Sequence, residues 1–182
     1  MDQRLLIRLE QAIRARRPQL AEALQPGLSE GDVHAMFSQA GISGDTGALV
    51  VFYSWCNGMA INSAPETNDS GFFPDSSYLF LDLSAALEHF AALGEAARTL
   101  LNLTEDPTAI SQNVDHYFPL FWDSITSYLA MGLEPTGGNR VAIIDFEAEK
   151  PFHVVYDSFE LFIIDAIRAN EQNQPLSCFL SE

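Results

Sequence analysis

The chain is short of basic residues, of cysteine and of long apolar runs, and each shortage narrows what it does. Nine Lys and Arg stand against 25 Asp and Glu in 182 residues, a formal net charge of -16. Affinity for nucleic acid comes largely from Lys and Arg neutralising phosphates, so no direct nucleic-acid binding is expected. A basic protein partner is favoured instead. Arg4, Arg8, Arg14, Arg16 and Arg17 all fall near the start, which leaves the rest of the chain more acidic than the whole. The two cysteines, Cys56 and Cys178, make neither a disulfide framework nor a zinc set. Each lies in an apolar context, where a buried free thiol is the usual occupant, and a reducing compartment fits.

The first residues interleave arginine with Leu5, Leu6, Leu9 and Ile13, so they lack the uninterrupted apolar core of a signal peptide. Asp2 and Glu10 argue against a transit peptide, and no later segment approaches a membrane span. The expectation is a cytoplasmic protein with no membrane association.

Also missing are the Gly-x-Ser-x-Gly elbow, the Walker loop, the Gly-x-Gly-x-x-Gly run and the His-Glu-x-x-His helix. His34, His89, His116 and His153 are scattered over different elements without ligand-like spacing. Ser124 and Ser158 read as a turn and a cap rather than as nucleophiles. One signature does invite an enzymatic reading: Asp45-Thr46-Gly47, with Asp69-Ser70-Gly71 behind it, is the pattern of aspartic proteases. Asp45 and Asp69 lie 24 positions apart, too close for two lobes, and Leu49, Phe52, Tyr53 and Cys56 follow at helical spacing. Asp45 is therefore expected to cap a helix, and Asp69 to lie in an exposed loop. No enzyme, no catalytic residue, no cofactor and no metal is expected.

Hydrophobic residues make up 47% of the chain, enough for one core. Leu5, Leu9 and Ile13, then Leu20 and Leu24, give two short helices that stop at Pro26-Gly27, a helical extension over 1–27 packed on a domain over 28–182. Ser29 and Asp32 form a capping pair before Val33, Met36 and Phe37. The segment 78–83 reads as a strand, with Ser84 capping a helix that Gly94 interrupts. Four β-segments follow, near 117–123, 125–133, 140–146 and 152–156, and their short connections imply an antiparallel meander. In the second, Ile125, Ser127, Leu129, Met131 and Leu133 share a core face. Asp157 and Ser158 cap a last helix that packs Phe159, Phe162, Ile163, Ala166 and Ile167 inward. The fold class is α+β, one domain with a central antiparallel sheet between N-terminal helices and a C-terminal helix.

A meander brings its first and third turns to the same end of the sheet, so Asp123, Glu147 and Glu149 converge, with Asp145 one residue inside its strand. Clustered carboxylates suit a hard cation, but no loop motif supports a metal. The alternatives are a solvated cluster of turn residues and a recognition patch, the latter with Trp122 and Tyr128 as anchors for a protein.

The order of several short strings resembles the SMI1/KNR4 (SUKH) superfamily. They are Leu49, Tyr53-Ser54-Trp55 and Asn57-Gly58 at a helix end; Phe72-Phe73-Pro74 before Tyr78-Leu79-Phe80-Leu81; Ala85, Ala86 and Leu87; Tyr117-Phe118-Pro119; Tyr128-Leu129; and Ser158-Phe159 with Phe162. One departure is Asp123-Ser124-Ile125-Thr126-Ser127, where family members often place a glycine beside an aspartate. The resemblance implies a non-enzymatic binding domain. Its bacterial relatives often neutralise polymorphic toxins, many of them nucleases, as immunity proteins; its fungal relatives are regulatory. Expected, then, is a toxin-neutralising immunity protein, with an intracellular adaptor binding an endogenous partner as the alternative.

Overall fold

The computed structural model describes residues 1–60, 71–101 (backbone only from 97), 114, 116–134, 139–148 and 151–179. In chain order the elements are Gln3–Arg16 (α1), Pro18–Ala23 (α2), Leu24–Pro26 (β1), Glu30–Gln39 (α3), Gly47–Trp55 (α4), Cys56–Met59 (β2), Leu79–Phe80 (β3), Leu83–Leu101 (α5), Tyr117–Trp122 (β4), Ser127–Gly132 (β5), Val141–Asp145 (β6), Phe152–Tyr156 (β7), Phe159–Gln172 (α6) and a final 3-10 turn, Ser177–Phe179. Strands β3 to β7 form an antiparallel sheet in chain order, and β1 pairs with β2 in a separate two-stranded sheet. The protein is α+β.

Local chemistry sets most boundaries. Asp2 caps α1 by accepting from the Arg4 N–H at 2.9 Å, and Pro18 opens α2, where its missing N–H is harmless. The Ser29 hydroxyl accepts from Asp32 N at 3.1 Å, and Ser158 does the same for Leu161 N at 3.2 Å. Asp45 accepts from Gly47 N at 3.1 Å, so it caps α4 from one residue outside the N-cap, Thr46. Helix α5 begins at Leu83 rather than after Ser84: Leu83 N donates to the Asn57 side-chain carbonyl and Ala85 N to the Asp82 carboxylate, both at 2.9 Å. Gly94 does not interrupt it.

One large core joins the N-terminal helices to the sheet. Leu6, Leu9 and Ile13 of α1 are fully buried in the same cluster as Phe52 and Tyr53 of α4, Phe118 and Phe121 of β4, and Phe159, Phe162 and Ile163 of α6. Phe52 sits among rings, with centroids 4.8 Å from Phe80 and 5.1 Å from Phe159. Burying a side chain of this size contributes roughly 1.5–3 kcal/mol. The buried Arg17 side chain donates to the Gly71 and Phe72 carbonyls, tying the end of α1 to the segment ahead of β3.

The central strands β4 to β6 are buried on both faces, not on one. Leu129, Met131, Val141 and Ile143 line the large core, while Tyr117, Tyr128, Ala130, Ala142 and Ile144 form a second cluster with Leu93 of α5 and Val114. Ile125 belongs to neither: it lies in the turn before β5.

Candidate functional site

The turn between β4 and β5 is closed by the Asp123 N–H donating to the Ser127 carbonyl at 3.1 Å and is braced by the Asp123 carboxylate. Asp123 Oδ1 accepts from Ile125 N at 2.8 Å and from Ser127 N at 3.0 Å, while Ser124 takes a positive φ of 70°. That geometry throws Ile125 outward, and at 73% exposure it is the most exposed large apolar residue among those described.

Asp145 closes the neighbouring turn. It pairs with Ser127 across β5 and β6, accepts from Glu147 N at 3.0 Å, and stands 3.5 Å from the donating Thr126 hydroxyl of the first turn. The two turns thus meet at one end of the sheet. Tyr78 reports the convergence: its hydroxyl bonds Ser127 Oγ at 2.5 Å, and its pKa is pushed up to about 12. Burial is the main cause, and the nearby Asp123 and Asp145 carboxylates add to it against the opposing effect of the Ser127 bond. Glu147 is exposed at the rim, whereas Glu149 lies outside the described residues.

Trp122 and Tyr128 pack against α5, and the Asp123 carboxylate lies close enough to the Tyr128 hydroxyl to add to the effect of burial in raising its pKa. Tyr128 is 9% exposed and Trp122 half-buried; their rings stack at 6.5 Å, and His89 of α5 lies against both at 4.9 and 5.5 Å. His89 Nδ1 is 3.0 Å from the Tyr128 hydroxyl, and burial holds the imidazole below its ordinary range against the pull of Glu88. These aromatics fasten α5 to the sheet, leaving Ile125 as the apolar group that the acidic turns present to solvent. Its signal was present in the sequence, an isoleucine two residues after a turn-forming aspartate, but strand alternation assigned it inward.

Trp55, at the end of α4, is only partly buried: its indole N–H donates to Glu10 at 3.3 Å, and it lines two depressions of about 170 and 180 Å³ beside α1. Asp69 lies outside the described residues. Among the described residues, no three His, Cys, Asp or Glu side chains gather as a metal site, and no helix is long and apolar enough to cross a membrane.

No protein-family model and no curated protein matches this chain.

Proposed function

We propose that this chain is a non-enzymatic binding module that neutralises a basic toxin domain in the cytoplasm, in the manner of the bacterial SUKH immunity proteins it resembles. The observation that carries this reading is Ile125, 73% exposed on a turn built by Asp123 and bonded to the turn of Asp145 and Glu147. An apolar anchor ringed by acids suits a partner whose own surface is basic, as nuclease domains are where they hold phosphate. The net charge of -16 draws such a partner from a distance. Because that attraction fades beyond about 8 Å at physiological salt, the complex needs the buried anchor as well.

The test is growth of cells expressing a candidate basic toxin domain, taken from any large reading frame found beside the gene for this chain, with and without this protein. Rescue that weakens with Ile125→Ala, and association that slows with Glu147→Lys, supports the reading. Toxicity without rescue counts against it and favours an adaptor that binds an endogenous partner. Rescue unaffected by either variant moves the interface elsewhere.

A further inference from the structure

We propose that β7 is the seam of a weak antiparallel dimer between two copies of this chain. β7 closes one side of the five-stranded sheet. Its register is entirely with β6, and the N–H and C=O groups facing away from β6 pair with no other backbone group among the described residues. Natural sheets guard such an edge with charge, proline, a bulge or a covering element. Phe152-His153-Val154-Val155-Tyr156 contains no proline and no Asp, Glu, Lys or Arg. Its one irregularity falls at the Tyr156 end, where the pairing shifts between Val141 and Ala142. His153 is exposed and Val154 is 40% exposed.

A second apolar group stands beside the strand. The Tyr156 hydroxyl donates to Asp165 of α6 at 2.7 Å, and Leu161, one helical turn before Asp165 on the same side of the helix, is 50% exposed.

Charge decides the occupant. With a formal -16 on each copy, two molecules repel over most of their surfaces. The β7 strip holds no carboxylate, so two copies approach there without setting acid against acid. For the same reason it offers a basic partner no counter-charge. The strip is also self-complementary: a two-fold axis at Val154 sets that residue against its counterpart and His153 against Val155 of the other copy, while Asp145 and Asp157 stay outside the five paired positions.

A seam of this length buries less than the roughly 1,200 Å² of a standard interface, so a weak dimer is expected, with a dissociation constant on the order of 10–500 μM. Salt screens the repulsion and tightens it, opposite in sign to the attraction between this protein and a basic partner.

The proposal is tested by analytical ultracentrifugation of the full chain from about 5 to about 500 μM, in 50 and 500 mM NaCl, beside a Val154→Lys variant that supplies the edge charge natural sheets use for protection. The mass should rise towards that of a dimer with concentration, more so at high salt, and Val154→Lys, with its melting temperature checked, should weaken association at least tenfold. Val154→Thr, which keeps the strand uncharged, should still dimerise and guards against a folding artefact. A single monomeric species throughout overturns the proposal, as does a Val154→Lys protein that dimerises equally well.

Discussion

Replacing Asp123 separates the structural use of an acidic residue from its charge. Its carboxylate accepts two backbone N–H groups, from Ile125 at 2.8 Å and Ser127 at 3.0 Å, and these bonds brace a turn that the Asp123 N–H also closes by donating to the Ser127 carbonyl. A hydrogen bond to a charged group contributes about 1.5–3 kcal/mol, but this residue is partly exposed and water substitutes for part of that, much as at a helix cap, where the loss is about 1 kcal/mol. Asp123→Ala should therefore cost about 1–2 kcal/mol. Asp123→Asn keeps an acceptor oxygen in the same place and should cost less than about 0.5 kcal/mol. For a chain of 182 residues, 1 kcal/mol moves the melting temperature by about 2–4 °C. Thermal and urea melts of the three proteins at pH 7 measure the difference. Equal losses for Ala and Asn, or no loss for either, would refute the assignment of the turn to the carboxylate oxygen.

Gly58→Ala should be severe and Gly41→Ala mild. Gly58 has φ 80° and a Cβ there would run into the Asp82 backbone, whereas Gly41, with φ 68°, has open space; losses of about 3 kcal/mol or more against about 1 kcal/mol are expected in denaturant melts. Asp165 holds the C-terminal segment, accepting from Tyr156 at 2.7 Å, Arg168 at 2.6 Å and Ser177 N at 2.7 Å. Burial pushes its carboxyl up, but those bonds outweigh it and hold the pKa below the ordinary value. Its stabilisation is therefore complete above the ordinary carboxylate range and fades as pH falls through the lowered value, so Asp165→Asn should lose about 1–3 kcal/mol at pH 7 and converge with the native protein in acid melts. Cys56, buried and with its thiol pushed up to about 12 by that burial, should resist a thiol reagent at pH 8 in the native state and react once urea unfolds the chain.

Much of the fold was legible because local chemistry and periodicity agree. Ser29 and Ser158 cap the helices expected of them, and the meander of β4 to β7 follows the turn-forming residues. What escaped were features decided by tertiary contact. The β1–β2 pair forms from Leu24–Pro26 and Cys56–Met59, segments whose Pro26-Gly27 and Asn57-Gly58 read as helix stops. At Gly27 a Cβ would run into the Ser54 carbonyl, so only the assembled structure shows why glycine is needed there. The second buried face was hidden for a different reason. Ala130, Ala142 and Gly132 carry too little side chain to declare a core, and Tyr128 passes for the polar side of an alternating strand.

The candidate site was legible in place but not in its division of labour. Topology alone brings Asp123 and Asp145 to one end of the sheet, and the structure has both there. Both carboxylates, however, are engaged by the backbone of their own turns, so substitution by lysine would remove a scaffold and a charge together. Glu147 differs: its backbone N–H takes part in the turn, while its side chain lies at the exposed rim. Reversing Glu147 therefore changes the field that a basic partner meets without unmaking the turn, and Asp123→Asn removes a charge while preserving an acceptor. Truncating Ile125 removes contact area and leaves the field unchanged. The three changes act on different quantities: the first two on the rate of encounter and its salt dependence, the third on the lifetime of the complex. If Glu147→Lys slowed association and Ile125→Ala speeded dissociation, each leaving the other rate nearly unchanged, the acidic rim would be the steering element and the isoleucine the anchor. If both acted on one rate alone, the division drawn from the turn geometry would be wrong.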